Sequence, residues 1–301
     1  SIVVHAQGGK DDGGTTWLIT EAREAAGLAD WLTTMRFALR VEIEDVSDRW
    51  AVLVATRDLR ELLSAQTNPV LVWHDPWPGV GAGGHAYAVT EDHPGAARSW
   101  YEHLIPLASL ETAVAALEEQ GYSLAGSWAA EALRIEAWRP RWGADTDEKT
   151  IPHELDWMRT AVHLAKGCYK GQETVARVHN LGHPPRRLTF LDLDGSQHTL
   201  PGPGATVELN GKVVGRVTAA QLHHEAGPIA LAVLKRSVAP DAVLTVRDTV
   251  VQGSKEAASN GNGASDDAAG GTSADAPAEQ WAAAQTVVVP PDAGSVVGRA
   301  Q

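Results

Sequence analysis

Cysteine is almost missing from this chain: Cys168 is the single one in 301 residues. One thiol excludes an intramolecular disulfide, and it excludes any all-cysteine zinc or iron–sulfur site built by the chain alone. Basic residues are also short, with 25 Lys and Arg against 38 Asp and Glu, for a formal net charge of −13. That balance argues against direct nucleic-acid binding through a broad electrostatic face, because phosphate contacts need clustered cations. No apolar run approaches the length of a membrane-spanning helix, and no signal peptide is visible, which argues against a membrane partner. No segment repeats. These features suit the reducing cytoplasm.

What is present is enough chain to bury a sizeable core and divide into two or three domains. "SIVVHAQ" and "TTWLIT", separated by "DDGG" at 11–14, read as a hairpin. A helix is expected from Thr20, its N-cap, to Leu39, with Leu28, Trp31 or Leu32, and Met35 on one face. "VEIEDV" at 41–46, "WAVLVA" at 50–55, "VLVWHD" at 70–75 and "HAYAVT" at 85–90 read as strands, with a short helix over 58–63. Leu110, Val114 and Leu117 mark a helix over 109–120 that Gly121 stops. A second short helix, "WAAEAL", follows Ser127 and runs into "RIEAW".

After "HNLGHPP" the character changes to short strands joined by turns, among them the hairpin signal Asn210-Gly211. The fold class is therefore α+β: an α+β domain over 1–178, then a small β-barrel over 179–252. Residues 253–283 are a low-complexity insert too poor in apolar surface to order itself. In 284–301, "TVVVP" at 286–290 is expected to return as a last barrel strand ahead of a tail.

Several motifs have bland readings that win. "GVGAGG" at 79–84 has dinucleotide-loop spacing, but "HAYAVTEDHPG" follows it where a helix must open, so it reads as a glycine-rich hairpin loop. The twelve histidines show no H-E-x-x-H spacing; His223 and His224 read as turn or surface residues, and no metal site is expected. Eleven tryptophans stand beside four tyrosines and two phenylalanines. Most are read as packing, yet Trp128, Trp138, Trp142 and Trp157 flank a very polar stretch and could stack on a flat heteroaromatic ligand.

Two residues hold chemistry, each with two readings open. Glu136 lies between Ile135 and Ala137 in a strand-like run, where a carboxylate is costly unless partnered. It is either part of an ion-paired loop or a grip for the N–H donors of a pyrimidine-like ring. Cys168, in "KGCYKGQE", is either a small packed residue or a working thiol. Lys166 and Lys170 are nearby cations of the kind that favour thiolate, Gly167 and Gly171 permit an open backbone, and Gln172 and Glu173 add polar partners.

"KGCYKGQETVAR" resembles the K-G-C-Y-x-G-Q-E signature of the YgfZ family of folate-binding proteins, relatives of the glycine-cleavage aminomethyltransferase GcvT. "RIEAWRPRWGADTDEKTIPHE" is similar to the family's folate-side segment, and "GKVVGRVTAAQLHHEAGPIALAVLKR" to its C-terminal barrel. The resemblance covers nearly the whole chain outside the insert and implies that the family's first segment is lacking. It implies a GcvT-like fold, with a folate-binding α+β region closed by a β-barrel, and tetrahydrofolate or a one-carbon derivative as ligand. It also implies a role as accessory factor in iron–sulfur cluster assembly or repair, with transient iron–sulfur client proteins that include tRNA-modifying enzymes. By matching position, Glu136 is the pteridine-binding carboxylate, with Trp128, Trp138, Arg139 and Arg177 on the cofactor side. Cys168 is the signature thiol, with Lys166, Tyr169, Gln172 and Glu173 around it. Trp138 stands where many relatives carry glycine. The alternative is a folate-dependent one-carbon transferase of the aminomethyltransferase kind. The catalytic aspartate that reaction needs would fall at Ser1, at Ile2 or ahead of them.

Overall fold

A computed structural model describes residues 3–7, 14–88, 90–248 and 279–294. The chain forms two compact units, Ser1–Trp77 with Gly95–Ser127, and Pro78–Pro94 with Trp128–Gln301. The expected low-complexity insert over 253–283 falls outside the described residues except for its last five.

In the first unit, β1 (Val3–Gln7) and β2 (Thr15–Ile19) pair antiparallel as expected, with Val3 opposite Ile19. Helix α1 (Ala22–Met35) starts from Glu21, which makes no side-chain cap, rather than from Thr20. It stops short of Leu39, where Phe37 takes a left-handed φ of 46°. Its apolar face is not covered: no α1 residue is buried, and Trp31 and Met35 are exposed. Residues 41–46 form no strand. Apolar alternation there lacks a ladder partner, and Asp45 turns the chain by accepting from the backbone N–H and hydroxyl of Ser47.

Three antiparallel strands follow in the order β3 (Trp50–Ala55), β5 (Tyr101–Pro106), β4 (Leu71–His74). Helices α2 (Arg60–Ser64) and α3 (Leu110–Glu119) supply Leu63, Ala113 and Leu117 to a core that also takes Ile105, Ala51 and Leu53. Alternation along β3 therefore puts Ala51, Leu53 and Ala55 inside and leaves Val52 and Val54 exposed. Buried His103 bridges the layers: Nδ1 donates to the Leu53 carbonyl and Nε2 accepts from the Leu59 N–H at 2.9 Å.

The second unit is built on a closed antiparallel barrel. The strands are β6 (Arg186–Leu193), β7 (Thr206–Leu209), β8 (Lys212–His223), β9 (Gly227–Lys235), β10 (Leu244–Asp248) and β11 (Glu279–Val287), in the order β10-β11-β6-β9-β8-β7. Asn210 and Gly211, both with positive φ, make the β7–β8 turn. The last strand is β11, so "TVVVP" contributes only its first two residues to it, and Val288 and Val289 pack outside.

β9 explains the apolar run "IALAVL". Ala230, Ala232 and Leu234 face the barrel interior with Trp281 and Val246, whereas Ile229, Leu231 and Val233 face a second core on the outside. A strand buried on both faces has no polar alternation to show. That outer core carries Ile135 from α4 (Ser127–Glu136), Val175 from α5 (Gln172–Leu181), and Tyr87, Leu155 and Met158.

Residues 85–88 are not a strand either. Their backbone bonds go to a neighbouring loop instead: His85 N–H to the Met158 carbonyl and Tyr87 N–H to Asp156. The glycine-rich stretch before them is consequently no hairpin loop. Its glycines serve close approach, for a Cβ on Gly84 would sit 2.4 Å from the Arg159 carbonyl oxygen.

Candidate functional site

Two segments of the second unit carry Glu136 and Cys168. The first is the end of α4. Helix-favouring Ala129, Ala130 and Ala132 continue from Ser127 through Ile135, so the run around Glu136 is helical and not strand-like. Ala132 and Ile135, three apart, face the core, while Glu136, at the end of the helix, keeps 49% of its side chain exposed. The carboxylate is accessible rather than buried.

The helix ends in a Schellman turn. Arg139 N–H bonds to the Arg134 carbonyl and Trp138 N–H to that of Ile135, with Trp138 left-handed at φ 52°. That is the position glycine usually holds. The strain of about 1 kcal/mol that a side chain incurs at such a position is offset by burial: the Trp138 ring is 9% exposed, edge-on to His93 at 5.2 Å and tilted on Phe190.

An ionic clasp fixes the turn from below. Arg134 donates to Asp145 Oδ2 at 2.7 Å, to the Arg139 carbonyl at 2.8 Å, and to Glu131. Fully buried Asp145 also accepts from the Arg141 backbone N–H and the Thr218 hydroxyl. Thr218 reaches it because β8 shifts register between Val217 and Ala219. Arg139 itself is half-buried and donates to the Pro140 carbonyl. Trp128 is 78% exposed at the opposite end of α4 from Glu136, roughly 12 Å away along the axis.

Sequence reasoning missed His223. Only His224 is a surface residue; His223, at the end of β8, is 4% exposed, and its Nε2 lies 3.4 Å from Glu136 Oε2. The adjacent "HH" inside a barrel-strand pattern was its signal, since alternation must turn one of the pair inward.

The second segment is the loop into α5. Gly171, left-handed at φ 84°, caps the helix, which turns the polar stretch "QETVARVHNL" into ten helical residues that were not expected as a helix. Cys168 is exposed just ahead of it. Lys166 places its ammonium over the Tyr169 ring, 5.6 Å from the centroid. Tyr169 packs against the same apolar cluster that holds Trp138 and Ile135, and burial raises its phenol pKa. Gln172 is half-buried, while Glu173 and Arg177 are exposed, four residues apart on α5. The Glu136 and Cys168 segments share one apolar cluster, through Trp138 and Ile135 on one side and Tyr169 on the other.

Beneath α5 lies a second group not anticipated from sequence. Tyr87 Oη is 2.8 Å from His179 Nδ1, with His85 and His153 edge-on nearby. Burial, together with the Asp156 charge, raises the Tyr87 pKa. His153 donates from Nε2 to the Val175 carbonyl, and burial pushes its imidazole down to about 4. Among the described residues no three metal-ligating side chains converge, and no helix is long and apolar enough to cross a membrane.

No protein-family model matches the chain. The sequence is 34% identical over 122 residues, 39% of this chain, to the tRNA-modifying protein YgfZ of Escherichia coli strains. It is 36% identical over 97 residues, 31% of this chain, to a chloroplastic protein of Arabidopsis thaliana named as a transferase. Those matches span 37% and 20% of the relatives' own lengths. In structure it is similar to the glycine cleavage system aminomethyltransferase T of Bartonella henselae, with a TM-score of 0.57 and 17% identity over 78% of this chain and 64% of that one. The chain thus resembles the YgfZ proteins, as its motif implied, on the fold of the glycine-cleavage aminomethyltransferase.

Proposed function

We propose that this chain binds tetrahydrofolate or a one-carbon derivative and serves as a cytoplasmic accessory factor for iron–sulfur proteins, among them enzymes that modify tRNA. The likeness to the tRNA-modifying YgfZ and the aminomethyltransferase fold support the coarse role. The observation that carries the residue assignment is the shared cluster: Tyr169, beside exposed Cys168, and Trp138, two residues after accessible Glu136, pack in one core. A ligand bound at Glu136 and a thiol at Cys168 then belong to one piece of structure.

In this reading Glu136 accepts two parallel hydrogen bonds from the pterin amino group and adjacent ring N–H, which an accessible carboxylate fits. Arg139 and Arg177 are cations for the ligand's glutamate tail, and Trp128 and Trp138 flank it. Cys168 acts as a temporary thiolate ligand for a client, with Lys166, Tyr169, Gln172 and Glu173 shaping its loop. A single thiol cannot hold a cluster permanently.

Titration with 5-formyltetrahydrofolate, and complementation of cells lacking the endogenous homologue, test both halves. Glu136→Ala is expected to weaken binding at least tenfold. Cys168→Ala is expected to bind normally but to leave tRNA methylthiolation unrestored. Full activity of Cys168→Ala would shift the reading to one-carbon transfer, for which the fold is the precedent.

A further inference from the structure

We infer that His223 is a positioning residue for Glu136, holding that carboxylate in the orientation that receives a ligand's paired N–H donors; this rests on the folate-site reading above. Three observations converge. First, His223 Nδ1 accepts from the backbone N–H groups of Ala226 at 3.1 Å and Glu225 at 3.3 Å. A nitrogen that faces two donors carries no proton, so in the neutral ring the hydrogen is on Nε2.

Second, that Nε2 is buried and makes no hydrogen bond to any described residue, an unusual state for a native donor. Third, Glu136 Oε2 stands 3.4 Å from it, close enough that a small rotation of an exposed side chain completes the bond. The pair comes from two elements, the C-terminal residue of α4 and the last residue of β8. The ring is fixed by its own backbone contacts, so the histidine sets the carboxylate and not the reverse. A bond from below leaves the outward lone pairs of Glu136 free for the ligand, and it tightens as the ligand draws the carboxylate into plane.

Binding of 5-formyltetrahydrofolate to His223→Ala, His223→Gln and each variant combined with Glu136→Ala tests this. His223→Ala should weaken binding about tenfold, the size of one hydrogen bond to a charged group. His223→Gln presents an amide N–H at the Nε2 position and should recover most of that loss. In the Glu136→Ala background neither substitution should matter. Unchanged affinity in His223→Ala, or equal losses in the Ala and Gln variants at unchanged thermal stability, would overturn the inference. Imidazole ¹⁵N NMR decides the pairing without folate. The proton should be on Nε2, and Glu136→Gln should move that resonance. If the chain binds no folate, the folate reading falls, and an unmoved Nε2 signal would sink the pairing as well.

Discussion

The two segments that carry the candidate site are built in opposite ways. The α4 end is over-determined: a Schellman turn, a buried tryptophan in a left-handed conformation, and the Arg134–Asp145–Thr218 clasp all fix the backbone around Glu136. The loop before α5 is held chiefly through Tyr169, and Lys166, Gly167, Cys168 and Lys170 are all exposed. The contrast suits the two tasks proposed for them. Ligand recognition needs groups fixed before the ligand arrives, whereas a thiol that engages successive protein partners needs access.

The sharpest way to break the comparison is at Trp138. Trp138→Ala removes a buried indole and keeps the backbone strain, so it should lower unfolding free energy by about 3–5 kcal/mol. Trp138→Gly removes the same ring but suits φ 52°, and it should be less destabilising than the Ala variant by about 1 kcal/mol. Urea unfolding measures both. If the two variants are equal, the left-handed turn is not what fixes the α4 end.

Acid should act on the other side, beneath α5. The His153 imidazole is held near 4 by burial, below the ~6.5 of a free side chain. The unfolded chain therefore takes up the proton first. The stability that depends on neutral His153 is complete above about pH 6.5 and is lost as pH falls toward 4, with a total of order 3 kcal/mol. His93, held near 4 by burial and then by Arg159, adds to the same slope. His153→Gln keeps a donor for the Val175 carbonyl and removes the titration. It should flatten the dependence of the urea midpoint on pH between 6.5 and 4; an unchanged slope would mean that His153 does not carry it.

How much of this was legible depends on whether a local pattern had to share its signal. The barrel strands, the α+β class and the motif loop could be read because alternation, turn residues and a long signature speak locally. Glu136 between Ile135 and Ala137 reads as strand-like, although the alanines ahead of it favour the helix that reaches it. The strands expected at 41–46 and 85–90 had the right alternation and no partner. Strand pairing is a property of the whole fold, and at His85 and Tyr87 a distant loop took the backbone bonds. His223 was hidden for a related reason: its partner lies 87 residues earlier in the sequence, as the pairing with Glu136 shows. The Tyr87–His179 contact, 92 residues apart, is of the same kind.

The smallest expected effect tests the other half of the comparison. Cys168 is exposed in a loop whose neighbours are exposed too, and no packing cluster includes it. Cys168→Ala should therefore leave unfolding free energy within about 0.5 kcal/mol of wild type. Iodoacetamide should modify Cys168 in the native protein without prior unfolding, at a rate that urea below the transition hardly changes. A loss above about 1 kcal/mol would be hard to reconcile with an exposed site. Modification only under unfolding conditions would likewise make the cysteine part of the packing. Either result would erase the distinction between a fixed ligand side and an open thiol side. The motif would then have to be explained by Tyr169, whose half-buried ring, unlike the thiol, packs against the core.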